Sequence, residues 1–128
     1  MHSRESIDKV FAGMARNLPG ALMTTADPVV TSFRKEIVAF AAKHRLPSMF
    51  PDLAVVDAGG LMFYGTSQSE MWRQIATYIH RILQGTKPAD LPIEQPMKFD
   101  LVVNLKTAKA LGIAVPRSVL LRADRVIE

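Results

Sequence analysis

Gly59-Gly60-Leu61-Met62-Phe63-Tyr64-Gly65-Thr66-Ser67-Gln68-Ser69-Glu70 holds a helix stop, a strand and a helix start in one short stretch. Gly59-Gly60 closes a short helix that Asp52 is placed to cap, because glycine takes the left-handed conformation without a Cβ clash. Leu61 to Tyr64 is an apolar run of strand length. Ser67-Gln68-Ser69-Glu70 matches a capping box, in which hydroxyl and carboxylate satisfy two orphan amides reciprocally. Beyond it Met71, Ile75, Tyr78, Ile79, Ile82 and Leu83 recur at helical spacing as far as Gly85, which predicts a helix over about 69–83. A strand set between two helices is the unit of an α/β fold.

Toward the N-terminus the same grammar repeats. Ile7, Val10, Phe11, Met14 and Leu18 form one stripe of an amphipathic helix, capped by Ser3 or Ser6 and stopped at Pro19-Gly20. Ala21-Leu22-Met23-Thr24-Thr25 is of strand length. Asp27-Pro28 reads as an N-cap followed by proline at the first helical position, opening a helix with Val30, Phe33, Ile37, Phe40, Ala41 and His44 on one face. Leu46-Pro47 breaks it, and Ser48-Met49-Phe50 forms a brief strand closed by Pro51.

Toward the C-terminus, Pro88, Pro92 and Pro96 mark an extended connection over Thr86 to Pro96. From Met97 the period becomes two: Met97, Phe99, Leu101 and Val103 against Lys98, Asp100 and Asn104, a half-buried strand at a sheet edge. Asn104 caps a small helix that stops at Gly112, and Leu120, Leu121, Val126 and Ile127 predict a last helix. Strands separated by helices require crossovers, so the expected fold class is α/β, a mostly parallel sheet flanked by helices.

The chain has 128 residues, 48% hydrophobic and 22% charged, enough apolar material for one domain with a core. Cysteine is absent, which excludes disulfides, thiolate nucleophiles and Cys-ligated zinc. The net charge of +4 comes from scattered lysines and arginines in runs of at most two, a solvated surface rather than a nucleic-acid footprint. The longest apolar stretch, Ile37 to Ala42, is far too short to span a bilayer, and the first residues lack the apolar segment of a secretory signal.

Chemistry is sparse. None of His2, His44 and His80 has a second ligand at metal-binding spacing, so no metal or cofactor is expected. Gly59-Gly60 precedes a strand, whereas a phosphate loop needs its glycines between strand and helix. No serine lies in G-x-S-x-G, and Asp27 reads as a cap more readily than as a phosphoacceptor. The chain is therefore expected not to be an enzyme. In open α/β sheets ligands sit outside the carboxyl ends of the strands. Those ends, Thr24 to Asp27, Phe50-Pro51 and Tyr64 to Ser67, suit a small polar or zwitterionic molecule.

Ala58-Gly59-Gly60-Leu61-Met62 with Tyr64-Gly65 resembles a signature of ABC-transporter substrate-binding proteins, in the branch related to tryptophan- and tyrosine-binding periplasmic proteins. The likeness continues through Tyr78, Ile82-Leu83, Lys87 to Pro92, Glu94-Gln95-Pro96, Lys98-Phe99, Asn104 to Gly112 and Arg122-Ala123-Asp124, with His44 to Pro47 agreeing upstream. The resemblance implies the C-terminal lobe of a type I periplasmic binding protein. Residues 1–128 would form a single α/β unit whose segment of about 66–96 packs on an absent first lobe.

It further implies an amino acid or similar small molecule as ligand, held in an interlobe cleft by Asp27, Phe50, Gly60 and Tyr64. ABC permease subunits would be partners in the full-length protein, and the setting periplasmic or cell-envelope. Nucleic acid is not an expected partner; a homodimer or domain swap of the exposed surfaces is. Two departures bear on the ligand: Phe63 stands where family members often carry a small residue, and Thr24-Thr25-Ala26 replaces a more apolar strand end. Two other readings of the residues stand beside this one, a basic domain on nucleic acid and a stand-alone metabolite-sensing domain.

Overall fold

A computed structural model describes residues 4–95 and 98–128. Helix α1 (Arg4–Arg16) leads into β1 (Leu22–Met23), followed by α2 (Pro28–Ser32), α3 (Arg34–Lys43), β2 (Ser48–Phe50), α4 (Leu53–Asp57) and β3 (Met62–Thr66). Then come α5 (Gln68–Leu83), a 3-10 turn at Pro88–Asp90, β4 (Phe99–Asn104), α6 (Leu105–Leu111), α7 (Arg117–Leu120) and β5 (Arg125–Ile127). The strands form one sheet in the order β1-β2-β3-β4-β5. Three pairings are parallel, and β3 with β4 is antiparallel, running from Met62↔Val103 to Thr66↔Phe99. The sheet is mostly parallel and flanked by helices, as expected. Ser3 as a cap, and Pro96 and Met97 as the approach to β4, lie outside the described residues.

The caps behave as the side-chain chemistry requires. Asp27 Oδ1 accepts from the Val29 amide at 2.7 Å and Asp52 Oδ1 from the Ala54 amide at 2.9 Å. Asn104 Oδ1 accepts from the Thr107 amide at 3.1 Å. Gly59 ends α4 at φ 109° and Gly112 ends α6 at φ 72°. The helix opened by Asp27 is interrupted at Phe33, whose φ −99°, ψ 19° departs from helical values and divides it into α2 and α3.

Ile37, Phe50, Val55, Val56, Phe63 and Val102 form the main core, between α3 and α4 and one face of the sheet. Phe40, Ala41 and Leu46 form a second cluster, and Phe11 of α1 stacks on Phe40 with centroids 4.5 Å apart.

Three local expectations are corrected. The capping box does not close: Ser67 occupies the N-cap, but its Oγ pairs with Ser69 Oγ at 3.1 Å, and Glu70 reaches Arg73 at 2.8 Å. Strand β4 is interior rather than an edge, so Val102, Val103 and Asn104 are all buried and the period-two alternation ends there. The last helix is only four residues long, and Val126 and Ile127 belong to β5. Asp124 decides this: its amide donates to Leu101 O and its Oδ2 accepts from the Leu101 amide, both at 2.8 Å. The chain is thereby seated alongside β4, whose open edge supplies the hydrogen bonds that a helix would have found internally.

Candidate functional site

The carboxyl ends of β1 and β2 point the same way and open into a recess of about 810 Å³. Each strand end feeds directly into a capped helix, so the capping aspartates stand at the rim by construction. Asp27 follows β1, and Asp52 follows β2. Thr31 of α2 joins them: its hydroxyl donates to Asp52 Oδ2 across the gap between the two helix starts. Both carboxylates are thus held in place before any ligand arrives, each with lone pairs to spare.

Asp57, at the end of α4, and Asp100, in β4 opposite Gly65, complete the lining, with Phe63 and Thr66 between them. Asp100 Oδ1 is buried with no hydrogen-bond partner, and Lys98 Nζ lies 3.8 Å from it. Asp57 pairs with Arg125 at 3.1 Å on the surface. Four carboxylates and no lysine or arginine therefore line a recess in a chain whose net charge is +4. Such a cavity favours a cationic group on its occupant.

Of the four residues expected to face a cleft, the recess contains Asp27 alone. Phe50 is 1% exposed and belongs to the core. Gly60 is buried before the start of β3, at the end of that strand remote from the recess; a Cβ there would stand 2.7 Å from the Phe50 ring and 2.9 Å from Val55 O. Tyr64 lies on the sheet face opposite Phe63, half exposed and stacked on Phe99 with centroids 5.7 Å apart. Asp52, Thr31 and Asp100 were not singled out as site residues. The signal for Asp52 was present, since an aspartate capping the helix after a strand end stands at the same kind of place as Asp27. Asp100 could not be found that way, because only the pairing of β4 with β3 brings it to the recess.

Among the described residues no group of three or more His, Asp or Glu is placed to hold a metal ion. No helix there is long and apolar enough to cross a membrane.

A search among curated proteins returns no match. Several solved structures share the fold, three of which follow. One is a conserved domain protein of Vibrio cholerae O1 biovar El Tor, at 24% identity and TM-score 0.83 over 95% of this chain and 41% of that one. Another is the ABC domain of Streptococcus pneumoniae in complex with L-Trp, at 28% identity and TM-score 0.86 over 99% of this chain and 44% of that one. The third is a substrate binding protein with adhesive properties from Clostridium difficile in a ligand-free, open form, at 19% identity and TM-score 0.72 over 99% of this chain and 42% of that one. The chain thus spans less than half the length of each. The family described as ABC transporter substrate binding protein matches residues 2–127. A match along almost the entire chain, on a fold it shares with an L-Trp-bound domain, means that this chain belongs to the ABC transporter substrate-binding proteins, a family whose role is to bind solutes.

Proposed function

We propose that the chain forms one wall of the solute cleft of an ABC import system and that the solute is an amino acid. The ammonium group would be received by Asp27 and Asp52, and the bound molecule delivered to permease subunits at the cell envelope. The observation that carries this reading is the recess at the strand ends, lined by four carboxylates and by no base. An ammonium suits fixed carboxylates that are already oriented by their own helix caps, because charge-assisted hydrogen bonds then form without ordering the side chains. The L-Trp held by the pneumococcal relative supports an amino acid over other cations.

A small-molecule site normally covers about 70–90% of its ligand, and this recess encloses its occupant from one side. Affinity for the isolated chain is therefore expected only near ~1 mM, about −4 kcal/mol. The test is ligand-observed and protein-observed NMR titration with L-tryptophan and with N-acetyl-L-tryptophan. Saturable shifts at residues around Asp27 and Asp52 for the first ligand, and none for the second, are expected. Equal binding of both, or shifts confined to the opposite sheet face around Tyr64, would overturn the assignment.

A further inference from the structure

Register sets Asp52, Gly65 and Asp100 in one row across the sheet. Phe50 of β2 pairs with Phe63 of β3, so two residues further on Asp52 comes level with Gly65, and Gly65 pairs with Asp100 of β4. Pro51 O lies 3.4 Å from the point where a Gly65 Cβ would stand, so the chain leaving β2 still runs alongside β3 there. Phe63 Cε2 and Cζ lie 3.0 Å from the same point. Phe63, Gly65 and Asp100 share the sheet face that carries the main core. The ring therefore leans along its own strand over Gly65, and the row reads carboxylate, aromatic ring, carboxylate.

The two carboxylates are unequally provided for. Asp52 accepts from the Ala54 amide at 2.9 Å and from the Thr31 hydroxyl. Asp100 lines the recess with 27% of its side chain exposed, and no donor among the described residues reaches its buried Oδ1. Lys98 Nζ stands 3.8 Å away, outside hydrogen-bond distance, on a side chain that is 56% exposed. The bases beside other lining residues are engaged, Arg125 with Asp57 at 3.1 Å and Arg34 with Thr31 O at 3.0 Å. A buried carboxylate oxygen without a donor is costly, and a cation brought by the solute supplies what the protein leaves out.

We propose, on the reading above that the recess receives the ammonium group of a solute, that the solute is a dibasic amino acid. Its α-ammonium sits at Asp27 and Asp52, and its side-chain cation sits at Asp100. The spacing agrees with this. Asp52 and Asp100 are separated by two strand intervals, about 9.6 Å at about 4.8 Å each. A charge-assisted hydrogen bond of about 2.8 Å at either end leaves about 4 Å or more between the two nitrogens, which a side chain of about three or four methylenes spans. Those methylenes cross the Phe63 ring, the apolar floor between the two carboxylates. A neutral side chain, such as an indole, would leave Asp100 as unsatisfied as before.

The test is a protein-observed NMR titration of the chain with L-lysine, L-ornithine and L-norleucine, the last keeping the alkyl chain without its terminal cation. All three are expected to shift residues around Asp27 and Asp52. The two dibasic amino acids should bind about fivefold or more tightly than norleucine, and they alone should shift Gly65 and Asp100. In Asp100→Asn, which keeps the side chain's size and removes its charge, the ratio should fall toward one, with amide shifts outside the recess verifying the fold. If that variant does not fold, the ratio and the Asp100 shifts of the unmodified chain still decide. Norleucine binding as tightly as lysine, with shifts at Asp27 and Asp52, would overturn the second cation site and leave the amino-acid reading standing. A preference for lysine that persists in Asp100→Asn would equally overturn it. No shift at Asp27 and Asp52 with any of the three would overturn the amino-acid reading and the dibasic solute with it.

Discussion

Replacing Gly60 by alanine tests how the turn before β3 is built. The added methyl would meet Phe50 Cε2 at 2.7 Å, Phe50 Cδ2 at 2.9 Å and Val55 O at 2.9 Å. None of these can retreat cheaply. Phe50 is 1% exposed in the centre of the core, and Val55 O accepts the Gly60 amide at 2.9 Å where α4 ends. Overpacking a filled core costs about 1–3 kcal/mol, and a clash that includes backbone belongs in the upper part of that range, about 2–3 kcal/mol. For a domain of this size each kcal/mol lowers the melting temperature by about 3–5 °C, so a fall of about 6–15 °C is expected. Urea unfolding followed by far-UV circular dichroism should show a lower midpoint with an unchanged slope. In the alanine background Phe50→Leu removes the ring but not the carbonyl, so the double-mutant cycle should return a favourable coupling of about 1 kcal/mol. A loss below about 0.5 kcal/mol, or no coupling, would mean that the turn shifts freely and that Phe50 does not dictate glycine at this position.

Two further outcomes follow from the same geometry. Asp52→Ala removes a helix cap and leaves the Thr31 hydroxyl with only the longer bond to Asp27 O at 3.4 Å, so it should cost about 1–2 kcal/mol in chemical denaturation, whereas Ser67→Ala, whose side chain caps nothing, should cost under about 0.5 kcal/mol. Thr107 Oγ1 donates to Gly59 O at 2.8 Å and ties α6 to the turn before β3; Thr107→Val should cost about 1 kcal/mol, read by the same unfolding curves.

Much of the architecture was legible because its signals are local. Asp27-Pro28, Asp52 and Asn104 are short polar side chains ahead of apolar runs, and each caps a helix in the structure. Gly59 and Gly112 take positive φ at the helix ends where they were expected. Val126 and Ile127 read as helix from the sequence but form β5, because a short apolar run satisfies helical and strand periods equally and only the vacant edge of β4 breaks the tie. The site was less legible. Phe50 and Tyr64 both sit in strands near the recess, yet the pleat sends Phe50 into the core and Tyr64 to the far face, and sequence spacing does not say which face is which.

What the amino-acid sequence determined alone is the succession of caps, stops and apolar runs that makes this chain α/β, together with the family likeness carried by Ala58 to Gly65. These depend on neighbours a few residues apart, whose preferences act before any long-range contact exists. Tertiary structure alone decided that β4 runs antiparallel beside β3, that four aspartates share one recess, and that α5 carries its apolar stripe into open solvent. Each of those depends on which distant segments share a sheet, and that choice is made by the summed burial of the whole core rather than by any residue's own propensity.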